Sequence, residues 1–161
     1  MPMLPTPVIV AYPPSTPAPQ GQLVADAFWP AIELAALRFA VAVDASVTVQ
    51  RLEEAATEAM ATVIDQLAPW AAAHQAVGIA SLSAVPALAI NGTSVHVRRF
   101  MRSVYAYTKA NLAERYADSD ATGRAERGED GRRTQAEEYR RDGLHAVRDI
   151  LGVARMTSEL I

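Results

Sequence analysis

Residues 91–120 read NGTSVHVRRFMRSVYAYTKANLAERYADSD, and the spacing within them decides the fold. Asn91-Gly92 is a turn signal, and Thr93 or Ser94 is placed to cap the free amides of a helix that starts at Val95. From there Val97, Met101, Tyr105, Leu112 and Tyr116 recur at four- or seven-residue intervals, which stacks them on one face of a helix of about six turns. Arg98, Arg102 and Lys109 fall on a different face. Amphipathic segments lie on both sides, so this helix is expected to be the spine of an all-α bundle.

Working back toward the N-terminus, residues 78–93 (GIASLSAVPALAINGT) hold Pro86 and read as an apolar connector packed on the bundle. The segment before it carries Leu52, Ala56, Ala59, Met60, Val63 and Leu67 at helical spacing, with Thr48 as its cap. Glu53 and Glu54 sit near its start, where the helix dipole favours acid. Pro69 is expected to end or kink it, although residues 71–75 can continue it, and Gly78 stops the run. Further back, Phe28-Trp29-Pro30 opens a short apolar helix with Ile32, Leu34, Leu37, Phe39 and Val41; the proline suits a first turn. A segment so apolar should be buried in its own core or under a neighbouring subunit, and Phe28, Trp29, Leu34, Leu37 and Phe39 are the candidate subunit interface.

Residues 1–22 hold seven of the ten prolines and read as an extended arm lying on something, a neighbouring chain being the simplest candidate. Beyond the spine, residues 119–133 are rich in glycine and charge and read as a mobile loop. A last helix follows over about residues 134–151, with Tyr139 or Arg140, Leu144, Val147 and Leu151 facing inward and Gly152 as its C-cap. The chain then ends in VARMTSELI. The expected architecture is four main helices near residues 31–42, 49–75, 94–117 and 134–151, with strand confined to the two ends. As domains, residues 1–22 form the arm, 23–152 the helical body and 153–161 an extended docking tail.

Composition narrows the function classes. The 161 residues fit one domain with a proper core. Half of them are apolar, yet no run approaches the roughly 18 consecutive apolar residues that span a bilayer. Cysteine is absent, which removes disulfides, thiolate metal sites and a cysteine nucleophile. The net charge of −3 does not describe an electrostatic nucleic-acid binder. Charge is unevenly spread: residues 1–74 carry two basic and seven acidic side chains, whereas residues 122–161 carry eight of each.

The chemical inventory is thin. His74, His96 and His145 lack the spacings that build a zinc site. Gly123, Gly128 and Gly131 are separated by charged residues and follow a helix, so they make no phosphate loop. Glu53-Glu54 and Glu137-Glu138 are adjacent pairs that diverge around a helix, not an acid/base dyad. The arginine doublets Arg98-Arg99, Arg132-Arg133 and Arg140-Arg141 read first as solvated faces and second as phosphate contacts. No catalytic residue, metal or cofactor is expected.

The order of landmarks is more informative than any one of them. FWP (28–30), RLEEAATEAM (51–60), INGTS (90–94), LAERYADSD (112–120), RRDGLHAVRDILG (140–152) and a terminal R-x-x-S-x-L-I follow one another. In this order they resemble the head completion/stabilisation proteins of contractile-tailed temperate phages of Gram-negative bacteria. The likeness covers about residues 26–161 and leaves the arm outside.

The resemblance implies a structural head-to-tail adaptor: a homo-oligomeric ring of twelve that joins the portal protein after DNA packaging and presents a platform to the next neck or tail terminator protein. DNA would pass through its channel without specific binding, and no membrane is involved. The location would be host cytoplasm during assembly, then the virion neck. Arg155, Met156, Ser158, Leu160 and Ile161 are the expected docking residues for the portal. Arg124, Glu126, Arg127, Glu129 and Asp130 are the expected channel-facing set. Two other classes stay open on the residues alone: a helical interaction module unrelated to virions, and a direct DNA binder using the arginine doublets.

Overall fold

The computed structural model describes residues 21–43, 46–120 and 126–154, the side chains of 116–120, 126–130 and 132 excepted. Its body is helical, with two very small sheets. Strands β1 (Gln22–Leu23) and β2 (Ile32–Glu33) pair antiparallel, Gln22 opposite Glu33 and Leu23 opposite Ile32. Helix α1 (Leu34–Ala40) follows directly, then α2 (Val49–Ala76), strands β3 (Ala89–Ile90) and β4 (Thr93–Ser94), α3 (Val95–Asp120) and α4 (Glu126–Leu151). Helices α3 and α4 form the most extensive packing interface, and α2 packs across α3.

Helix α2 forms much as its sequence dictates. Thr48 Oγ1 accepts a hydrogen bond from Arg51 N at 3.3 Å, capping one of the first-turn amides. Leu52, Ala56, Ala59, Met60, Val63 and Leu67 are all buried. Each large member of that stripe contributes about 1.5–3 kcal/mol when removed from water. The helix runs through Pro69 to Ala76 without ending there. The proline costs it the bond to the Asp65 carbonyl, but Pro69 and Asp65 both lie on the exposed face, where water can take that acceptor. At its end Gly78 adopts φ +88°, and the amides of Gly78 and Ile79 return to the carbonyls of Gln75 and His74.

The connector to α3 contains a strand pair, so strand is not confined to the chain ends. Ala89 pairs with Ser94 and Ile90 with Thr93, closed by Asn91 (φ +50°) and Gly92 (φ +73°). Two successive positive φ values match the twist of a two-residue hairpin, which is why Asn-Gly stands there. Ser94 Oγ then accepts from His96 N at 3.3 Å and caps α3 as expected.

Four further expectations change. Pro30 precedes β2 rather than opening a helix, and α1 starts only at Leu34. Helix α3 extends to Asp120 and α4 begins at Glu126, so the described part of the glycine-rich stretch is helical.

The buried stripes of α3 and α4 keep Leu112 and Val147 but are otherwise rotated from those read off the sequence. In α3 it is Phe100, Ser103, Val104, Tyr107, Thr108, Ala110 and Leu112 that are buried. Val97, Met101 and Tyr105 are half-buried at the edge. In α4 the core takes Ala136, Gly143, Ala146, Val147 and Ile150, while Leu144 is exposed. Gly143 lets α4 approach α3 closely at Tyr107.

Candidate docking site

The half-buried flank of α3 is the floor of an open groove. Val97, Met101 and Tyr105 lie one turn apart along it. Ala40 and Val41 from the end of α1, Thr93 from β4 and Asp142 from α4 form its walls, enclosing about 560 Å³. A second hollow of about 290 Å³ continues it past Lys109 to Leu112, Gln135 and Tyr139, with Val41 and Lys109 common to both.

Arg98, Arg102 and Lys109 border this groove. Arg98 Nη2 donates to the Ile90 carbonyl at 2.8 Å, tying the hairpin to α3. Lys109 Nζ sits 4.7 Å from the centroid of the Tyr139 ring, a cation–π contact across the α3–α4 interface. The opposite wall is held in place by Arg38 Nη2, which donates to the Val47 carbonyl at 2.9 Å. Burial holds the Tyr105 hydroxyl above its ordinary pKa of 10.0, so the ring enters the groove as a neutral phenol.

Arg99 and Arg140 of the expected doublets, and Arg115 outside them, serve the fold. Arg99 Nη1 donates to the Asp149 carbonyl at 2.8 Å, near the C-terminus of α4. Arg140 makes a two-pronged ion pair with Glu114, its Nη2 donating to Oε2 at 2.6 Å. Arg115 and Glu54 pair at 3.3 Å between α3 and α2, both exposed. These three guanidinium groups are engaged within the chain.

Two of the three histidines meet. His74 and His96 both pack edge-on against Trp70, with centroids 4.4 and 5.4 Å away. Desolvation, then Arg99 and His74, push His96 below its ordinary pKa of 6.5, and its Nδ1 is buried without a protein partner. Among the described residues no group of three His, Asp or Glu could hold a metal ion. None of the described helices is long and apolar enough to cross a membrane.

The expected site residues are dispersed. Phe28, Trp29, Leu34 and Leu37 are core residues of this chain; Trp29 stacks on Phe100 at 5.1 Å and meets Phe28 edge-on at 5.0 Å. They leave a partner no surface, because the short α1 closes the chain's own core. Phe39 alone of that set is exposed, at 90%. Arg124, Arg155, Met156, Ser158, Leu160 and Ile161 lie outside the described residues. Glu126, Arg127, Glu129 and Asp130 stand on the first turns of α4 rather than on a loop. The groove itself was signalled in the sequence by Val97, Met101 and Tyr105, which share one face of α3.

The family model of the phage head completion protein (GPL) matches residues 23–161. The chain belongs to that family. A relative, the head completion/stabilization protein of Escherichia phage P2, is 32% identical over 128 residues, covering 80% of this chain and 76% of that protein. No solved structure matches. This is a family of structural proteins, and the chain is accordingly a structural head-completion protein, not an enzyme.

Proposed function

We propose that the chain completes the phage head as a ring of twelve copies, added to the portal protein after DNA packaging and offering a platform to the next neck or tail terminator protein. The observation that carries this reading is the family match, which runs unbroken from the start of the helical body through the tail at 155–161. In this reading Arg155, Met156, Ser158, Leu160 and Ile161 dock on the portal. Each apolar member gains about 1.5–3 kcal/mol on burial, and ordering the segment offsets most of it. A single tail therefore binds weakly, and a ring of tails on a ring-shaped portal binds firmly through effective concentration.

Phe39 supplies apolar surface for the subunit contact. Residues Arg124, Glu126, Arg127, Glu129 and Asp130, where acids and bases alternate, face the channel and let DNA slide past. Assembly takes place in the host cytoplasm and the product is the virion neck.

Deletion of residues 157–161 tests the docking step. DNA-filled heads sediment with the full chain and not with the truncated one, while the truncated chain keeps its melting temperature. Heads that still carry the truncated chain would contradict the assignment.

A further inference from the structure

The groove along α3 has an apolar floor that nothing in the described residues covers, and residues 1–20 join the body beside its wall. Leu34 N donates to the Gly21 carbonyl at 3.1 Å, so the arm enters at the first turn of α1. Ala40, the last residue of that same helix, and the capping Val41 border the groove. Because β1 and β2 are antiparallel, the chain followed backward through Gly21 runs with β2, toward α1. The helix is about 10 Å long at 1.5 Å per residue. Six extended residues, 15–20, reach about 20 Å. Residue 14 therefore reaches the groove with slack.

Length and chemistry then agree. From Val97 to Leu112 the floor runs about 22 Å, the length of about seven residues of polyproline II at 3.1 Å each. The seven residues 8–14 are VIVAYPP. Residues 1–20 carry no charged side chain and seven prolines. Within 8–14, Pro13 and Pro14 have their φ preset, and Val8, Ile9, Val10 and Tyr12 supply apolar and aromatic side chains suited to a groove lined by aromatic rings. This groove presents Tyr105 and Tyr139 together with Val41, Val97 and Met101. Arg98 and Lys109 are already engaged with Ile90 and Tyr139 of the chain itself, and Arg102 and Asp142 stand at the rim of a floor that is apolar.

The geometry points to residues 8–14 docking in the α3 groove of their own chain, as a strap over Val97, Met101 and Tyr105. A tether of a few residues gives a millimolar effective concentration, so a modest contact suffices. The family match begins at residue 23, and the strap is a feature of this chain in addition to its head-completion role.

The test places the photo-crosslinker p-benzoylphenylalanine at Tyr12 of the full chain, mixed from equal parts unlabelled and 15N-labelled protein. Irradiation is expected to give adducts on α3 around Val97, Met101 and Tyr105, each joining peptides of one isotopic composition. Met101→Glu should lower the yield about tenfold, as loss of one apolar anchor does to a binding equilibrium. Val97→Glu repeats the test from the other end of the floor should Met101→Glu lower the melting temperature. Adducts that mix light and heavy peptides place the arm on a second copy and overturn the proposal. So do adducts elsewhere on the body, or a yield that neither substitution changes.

Discussion

Gly143 of α4 lies directly under the ring of Tyr107 of α3: a Cβ built on it would stand 2.8 Å from Cε2 and 2.9 Å from Cδ2. Gln66 Nε2 of α2 donates to the hydroxyl of the same ring at 3.2 Å. One contact thus links all three long helices and explains a glycine inside a helix.

Gly143→Ala should destabilise the protein. The substitution gains about 1 kcal/mol of helix propensity and forces a well-packed ring to move, which costs typically about 1–3 kcal/mol. The denaturant midpoint is expected to fall. In a Tyr107→Leu background, where the ring is gone, the same substitution should be neutral or stabilising. A higher midpoint for Gly143→Ala in the natural background would contradict the close packing.

Pro69→Ala should stabilise the protein by about 1–3 kcal/mol, since an exposed interior position of a continuous helix regains its backbone donor. Thermal melting checks this. An unchanged or lower melting temperature would contradict this.

Arg99 ties the start of α3 to the end of α4 through the Asp149 carbonyl, where a cation also complements the helix dipole. Arg99→Met keeps much of the aliphatic packing and should cost about 1–3 kcal/mol, the range of a charged hydrogen bond. Hydrogen exchange should quicken first in residues 145–151.

Stability should fall as pH drops below 6.5. His96 has its folded-state pKa depressed by burial, Arg99 and His74, so the unfolded chain takes up its proton first. The contribution is intact above the unfolded pKa of 6.5 and is lost as pH falls through the lower folded pKa. Urea titrations between pH 7 and pH 5 should show this slope in the natural protein and a flatter one in His96→Asn. Equal slopes would show that another group governs it.

Phe39→Glu should leave the melting temperature unchanged, because the side chain is 90% exposed, and should block ring assembly if that ring contacts a neighbour there. Sedimentation of the purified variant against the natural chain checks it.

How much of this was legible in the sequence depended on how many neighbours each helix has. Helix α2 packs with one face, and its stripe from Leu52 to Leu67 could be read directly. Helix α3 packs against both α2 and α4, so its buried sector takes in Ser103 and Thr108. Their hydroxyls donate to the Phe100 and Val104 carbonyls at 2.7 and 2.8 Å, leaving no unmet polar cost and no apolar signal. The conspicuous series Val97, Met101, Tyr105 was thereby displaced to the groove. On α4 the interface is written in Ala136, Gly143 and Ala146, residues that hydropathy passes over. Met156, Leu160 and Ile161 mark the end of the chain as a candidate docking segment, and only the family resemblance supplies the portal as its partner.

The central claim is the ring on the portal, and cryo-electron microscopy of the neck in assembled particles tests it most directly. The account predicts twelve copies of the α2–α3–α4 body around the channel, seated against the portal with residues 155–161 in contact with it. Particles in which this chain is absent from the portal vertex, or present there as isolated copies, would contradict it.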